Sequence, residues 1–246
     1  MLSNILLLLL HVLFVLPRNI PSYVKFCHRN DPDFRKCIIE SSNEVFKHGY
    51  EPIPDMDLPI IDPLKIDTVS IDTGGAVVKI HVDLINCTIQ NMAKAIVTHL
   101  VPNLENARIS GQLYFPSVTA ASDYKMKGKI LTFDIEADGS LTYEAQNITM
   151  DVEWYGKYYT KNEMKHMMFD KIETKSDIQE VKIYFYKLFG DNEKLTETVN
   201  AIINENAQEI KKDVDVIIGK AIGDNAMIYL NRVFNALPID ELFPED

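Results

Sequence analysis

Apolar and polar residues alternate through the middle of the chain and settle into a slower rhythm towards its end. Val78, Ile80, Val82 and Leu84 share one parity, while Lys79, His81 and Asp83 take the other. Ile109, Gly111, Leu113 and Phe115 repeat the pattern against Arg108, Ser110, Gln112 and Tyr114, and Leu131, Phe133, Ile135 and Ala137 do so again. Ile148, Met150, Val152 and Trp154 alternate with Thr149, Asp151 and Glu153, and Val181, Ile183 and Phe185 close the set. A period of two marks half-buried antiparallel strands. The region from about Leu64 to Phe189 is therefore expected to be a sheet of long strands, with Asp138-Gly139 as a hairpin signal.

From Asn192 the period becomes helical. Leu195, Val199, Ile202, Ile203, Ile210, Val214, Ile217, Ile218, Ala221 and Ile222 form an apolar stripe. Glu197, Asn200, Glu205, Glu209, Lys211 and Lys212 lie between them as the polar face. The stripe runs on past Gly223 through Met227, Leu230, Val233, Phe234 and Leu237 until Pro238 stops it. A helix of about 30 residues is roughly 45 Å long. Its spacing drifts off strict heptads, which argues against a coiled coil. Long strands with one apolar face need a large body to bury it against. The expected fold class is α+β: a long C-terminal helix wrapped by a strongly curved antiparallel β-sheet, with a short disulfide-tethered N-terminal helix.

That first helix is expected from about Asp31 to Lys47. Asp31-Pro32-Asp33 reads as its start, with an aspartate cap and proline in the first turn. Phe34, Cys37, Ile38, Val45 and Phe46 supply a partly apolar face, and His48-Gly49 ends it. Pro52, Pro54, Pro59 and Pro63 make the next stretch neither regular helix nor central strand, so an extended, ordered crossing is expected.

Composition and compartment narrow the function. Ile5 to Leu16 are apolar apart from His11, too short a run to span a bilayer comfortably and suited to the core of a secretory signal peptide. Met1 to Asn4 carry no basic side chain, and a short buried helix or a membrane anchor is the alternative. Cleavage between Leu16 and Ser22 leaves a signal of residues 1–20 and one domain over 21–246, with no stable membrane insertion of the mature chain. A net charge of −11 without a Lys/Arg cluster excludes a nucleic-acid backbone and an anionic membrane face as partners. In an oxidising compartment Cys27 and Cys37 read as a staple worth about 2–3 kcal/mol. Zinc would want four ligands and redox chemistry a two-residue spacer. Cys87 is left over, as a buried thiol or a link to another chain. Asn86-Cys87-Thr88 and Asn147-Ile148-Thr149 match the glycan acceptor pattern, which predicts solvent-facing Asn86 and Asn147.

Reactive constellations are missing. There is no Gly-x-Ser-x-Gly elbow and no His-Glu-x-x-His pair. His11, His28, His48, His81, His99 and His166 show no ligand-like spacing. Asp55, Asp57 and Asp62 sit among prolines and read as solvated carboxylates. "EWYGKYYTKNEMKHMMF" (153–169) is aromatic and methionine-rich, a strand end and loop on the sheet or a pocket mouth. An acidic chain with a large apolar interior and no nucleophile, metal or cofactor motif points to binding of a small hydrophobic ligand without catalysis. An extracellular interaction module with a solid core is the alternative. By periodicity the inward candidates for ligand contact are Val78, Val82, Leu113, Phe115, Phe133, Trp154, Phe185, Ile203, Ile210 and Phe234.

Five ordered stretches resemble the insect takeout and juvenile-hormone-binding protein family. They are "IPSYVKFCHRNDPDFRKC", "IPDMDLPIIDPLKI", "DYKMKGKILTFDIEADGSLTYEAQNITM", "NAIINENAQEIKKDV" and "LNRVFNALPIDELFP". The resemblance implies a tubular lipid-binding fold and a secreted carrier of juvenile hormones, other terpenoids, fatty acids or related lipids in an internal tunnel. It implies a Cys27–Cys37 bridge, no cofactor, links to circadian output and feeding, and leaves a protein receptor open as a partner. The family's haemolymph hormone carriers have a second bridge deeper in the chain. Here only Cys87 lies there, which points to the takeout-like branch.

Overall fold

A computed structural model describes residues 18–75 and 77–245, the side chains of 208, 211–218, 220 and 221 excepted. The core of the expected signal segment lies outside these residues. The first helix, α1 (Phe34–Lys47), starts later than Asp31. The Asp31 carboxylate accepts from the Asp33 amide at 2.8 Å, forming a tight turn ahead of the helix rather than its cap. Cys27 and Cys37 are disulfide-bonded, with Cα atoms 5.8 Å apart.

The staple holds the other end of the chain. Within its loop the Arg29 amide donates to Pro244 O at 2.8 Å, and Arg29 Nε donates to Phe243 O at 2.7 Å. Arg29 pairs with Asp240, Asn30 donates to Glu245 O, and Phe34 meets Phe243 edge-on at 5.6 Å. Replacing both cysteines with serine is expected to cost about 2–3 kcal/mol. It should also speed hydrogen exchange of the Arg29 amide, measured by mass spectrometry. Unchanged exchange there would separate the staple from the C-terminal contact.

Six strands follow: β1 (Leu64–Asp72), β2 (Val78–Gln90), β3 (Ile96–Asn103), β4 (Arg108–Ile130), β5 (Phe133–Lys161) and β6 (Met164–Phe185). All pair antiparallel, in the order β1-β2-β4-β5-β6, with β3 beside the first half of β4. The chain ends in α2 (Glu193–Glu205), α3 (Ala207–Ala236) and α4 (Ile239–Leu242).

The expected strongly curved sheet wrapped around one helix is corrected here. The sheet is an open path, and no ladder joins β1 to β6 among the described residues. The helical region is two helices meeting at Asn206, and they lie chiefly along β6. Asparagine side chains hold them there. Asn200 Oδ1 accepts from the Phe185 amide at 2.9 Å, and its Nδ2 donates to Phe185 O at 2.8 Å. Asn204 makes the same pair with Ile183, and Asn231 with Phe169. Each primary amide presents the donor and acceptor that a neighbouring strand would, so the helices dock on an edge that would otherwise be unpaired. Asn43 of α1 does the same for Val97 of β3. Asn200, read from sequence as part of the polar face, is buried, and Leu195, read as part of the stripe, is exposed.

The long strands are subdivided. Phe115 and Val118 both face inward, as do Ala145 and Ile148, so two residues rather than one separate them. These positions are aligned: Phe115 pairs with Ile148 and Ile148 with Ile178, while Val118 pairs with Ala145 and Ala145 with Val181. A phase slip therefore crosses three strands in one line. Pro116, which lacks an N–H, and Asn147, at φ +52°, fall in it.

The hairpin between β4 and β5 is also corrected. It turns at Leu131 and Thr132, where Ile130 pairs with Phe133 and Leu131 has φ +54°. Asp138-Gly139 lies inside β5, opposite Lys125 and Tyr124. A Cβ at Gly139 would lie 2.3 Å from Tyr186 O, so close approach of backbone explains this glycine. The aromatic stretch 153–169 is the β5–β6 hairpin, turning at Asn162 and Glu163, both at positive φ.

On the outer face, β1 and β2 are joined by charge. His81 Nδ1 lies 2.8 Å from the Asp72 carboxylate, and Asp83 is 3.6 Å from Nε2. The Asp72 hydrogen bond, with further help from both carboxylates, raises the His81 pKa above its ordinary value. A raised folded-state pKa gives stabilisation that is complete below the unfolded value and is lost as pH rises through the folded one. NMR titration should place the His81 midpoint above that of a free histidine, and Asp72→Asn should bring it back down.

Candidate functional site

Between the inner face of the sheet and helices α2 and α3 lies a partly open cavity of about 190 Å³. Strand β1 contributes Ile66, Val69 and Ile71, and β2 contributes Val78, Ile80, Val82, Leu84, Cys87 and Ile89. The second half of β4 adds Val118, Ala120, Ser122, Met126 and Ile130, β5 adds Leu141 and Tyr143, and β6 adds Val181, Ile183 and Phe185. Ile203 and Asn204 of α2 and Ala207, Ile210 and Ile222 of α3 form the opposite wall. Alternation produces this lining directly, because a strand half buried on one face sends every second side chain inward.

Two polar groups on the wall, Ser122 and Asn204, are hydrogen-bonded to backbone. The Ser122 hydroxyl is 2.9 Å from Ile85 O, at the point where the β2–β4 register slips. Asn204 is taken up by Ile183, as described. Burial pushes the Cys87 thiol pKa up, a hydrogen bond with Ser122 offsetting only part of it. Cys87 is thus an unpaired, buried thiol in the wall, held in its weakly nucleophilic protonated form.

Of the ten inward candidates, Val78, Val82, Phe185, Ile203 and Ile210 line this cavity. The other five lie elsewhere. Phe115, Trp154 and Phe234 are buried in the hydrophobic core, and Leu113 and Phe133 pack against it half-buried. Phe234 meets Phe169 edge-on at 5.2 Å, under the other half of the sheet. Sequence reading missed β1, the second half of β4 and Asn204. In β4 the inward parity is carried by Val118, Ala120, Ser122, Tyr124 and Met126, whose mixed polarity hides the alternation. In β1 the inward set changes parity between Ile66 and Val69.

Asp62 is corrected from solvated to buried. Its carboxylate accepts from the Asn91 and Ala93 amides at 3.2 and 3.0 Å and so anchors a turn. Asn86 and Asn147 are both exposed. A second depression, over Gln112, Asp151, Glu153, Glu173 and Lys175, is open and charged. Among the described residues no group of three or more His, Cys, Asp or Glu side chains could hold a metal ion. No helix among them is long and apolar enough to cross a membrane.

The family model for haemolymph juvenile hormone binding protein (JHBP) matches residues 5–244. The chain belongs to this family. It is a secreted carrier of hydrophobic ligands. The circadian clock-controlled protein daywake of Drosophila melanogaster is 20% identical over 235 residues, covering 92% of this chain and 89% of that protein. Daywake of Drosophila yakuba is 19% identical over 231 residues, covering 91% and 88%. The crystal structure of Epiphyas postvittana Takeout 1 superposes with a TM-score of 0.76 at 18% identity, covering 90% of this chain and all of that one. At that identity the likeness concerns the fold.

Proposed function

We propose that residues 21–246 form a single ligand-binding domain that carries an elongated apolar molecule in the cavity between sheet and helices, without covalent chemistry. The ligand class is a juvenile-hormone-like terpenoid, a fatty acid or a related lipid. The observation that carries this reading is the cavity wall, which is almost wholly apolar and offers a ligand hydrocarbon contact. Each buried CH₂ of a ligand contributes about 0.8 kcal/mol. With Ser122 and Asn204 bonded to backbone, the wall holds a chain rather than a charged head group.

Native mass spectrometry of the secreted protein, followed by solvent extraction, tests this. A stoichiometric apolar adduct supports it. An empty protein that also refuses terpenoids and fatty acids overturns it and favours an interaction module. Val82→Trp, placed in the wall, should abolish the adduct while the fold persists. Leu113→Ala, outside the wall, should lower stability and leave ligand uptake unchanged.

The exposed Asn86 and Asn147 support N-glycosylation at both. Thr88→Ala and Thr149→Ala keep each asparagine in place, and each should remove one glycan from the intact mass of protein made in a secretory host. A wild-type mass equal to that of the bare chain would overturn it. The clock-controlled relatives support circadian timing of expression, which transcript sampling through a light–dark day would reveal as a daily rhythm.

A further inference from the structure

We propose that Asn204 is a positioning residue that sets how fast the cavity exchanges its ligand. This rests on the carrier reading above and concerns a residue that reading leaves without a role. Asn204 and Ile183 both line the cavity, and two hydrogen bonds join them, at 3.0 Å to Asn204 Oδ1 and 2.8 Å from its Nδ2. Strand β6 is the end of the sheet path, so this seam is not a backbone ladder. It is a row of separate side-chain clasps, at Phe185 through Asn200 and at Ile183 through Asn204.

The spacing of the clasps has a geometric origin. Four residues of helix rise about 6 Å, and two residues of strand about 6.7 Å. Asn200 and Asn204 therefore stay in step with Phe185 and Ile183, one helical turn for every inward strand position. The match ends at the helix junction. Asn206 closes α2, with its amide and its Nδ2 both donating to Ile202 O, and α3 begins at Ala207. Ala207 and Ile210 are the next residues of the wall, so Asn204 is the last clasp before the wall changes helix.

The opposite side of the cavity is held differently. Ile66, Val69 and Ile71 of β1 line it and are only half-buried, and among the described residues the helices contact β6 far more than β1. An apolar wall pinned on one side by discrete clasps, and in looser contact on the other, exchanges ligand by separating at the looser side. The clasps limit how far it separates. Breaking the one at Asn204 frees the wall at the junction, whereas Asn200 is buried deeper and holds the body of α2.

Asn231 supplies an internal comparison. It makes the same two-bond clasp to Phe169, at 2.7 and 2.8 Å, and neither residue lines the cavity. Both asparagines are half-buried, so substitution should lower the melting temperature by similar amounts.

The experiment is stopped-flow release of cis-parinaric acid, a fluorescent fatty acid, from wild type, Asn204→Ala and Asn231→Ala. Asn204→Ala should release it about tenfold faster, the rate equivalent of losing one or two neutral hydrogen bonds. Asn231→Ala should release it at close to the wild-type rate. Asn204→Ser serves the same purpose if the alanine variant does not fold. Wild-type rates in the Asn204 variants, or equal acceleration in Asn231→Ala, would overturn the assignment while leaving the carrier reading intact. A wild-type protein that takes up neither this probe nor a terpenoid would overturn both.

Discussion

Replacing Asn200 with alanine is expected to destabilise the protein by about 2–5 kcal/mol, the cost of leaving a buried amide and a buried carbonyl unpaired. Asn200 is 2% exposed, and its two partners are the N–H and C=O of Phe185, itself 5% exposed. Alanine removes both hydrogen bonds at once and leaves Phe185 next to a methyl group. For a chain of this size such a loss lowers the melting temperature by roughly 5–15 °C. Asn200→Asp should be at least as harmful, since a carboxylate cannot donate to Phe185 O and brings an unpaired charge into the core. Urea unfolding followed by circular dichroism would measure both. A melting temperature within a degree of wild type for both would mean that α2 is held by its apolar face alone.

Gly139→Ala is expected to cost about 3 kcal/mol or more, at the upper end of overpacking penalties. The added methyl would stand 2.3 Å from Tyr186 O, which is already the acceptor for Tyr124 OH at 2.9 Å. Tyr124 is 1% exposed and touches the cavity-lining Phe185 edge-on at 5.3 Å, so the strain would spread into the core. Gly74→Ala makes the control, because nothing lies within 4 Å of its added Cβ. That substitution should stay within about 0.5 kcal/mol of wild type. Equal effects of the two would place Gly139 in a turn, where the sequence first put it.

The two substitutions mark the line between what was legible and what was not. Val78, Val82 and Phe185 could be placed facing inward because parity along a strand is a local property, and one buried face is enough to reveal it. Ile203 and Ile210 followed from helical spacing in the same way. Phe115, Trp154 and Phe234 pass the same test yet do not line this cavity, because facing inward says which side of the sheet a residue is on and nothing about which half of it. The slip through Pro116 and Asn147 divides those halves, and it is a property of three strands in register. Asp62 and Asn200 were misread for a related reason. A polar side chain among prolines or on a helix reads as solvated until the backbone groups that need it have been located.

By itself the sequence determined the class of the protein: period-two strands, then a helical stripe, a staple near the start of the chain, an acidic surface and the ordered motifs of a secreted carrier family. These are carried by residue type and short-range spacing, which the chain states directly. Tertiary structure alone decided where the helices sit and where the cavity lies. An asparagine can complete the edge of β6 only if that edge is left open, and a glycine can admit the backbone of Tyr186 only if that backbone arrives. Both conditions depend on segments distant in sequence, so the open sheet, the clasped seam and the apolar cavity beside it exist only once the chain has folded.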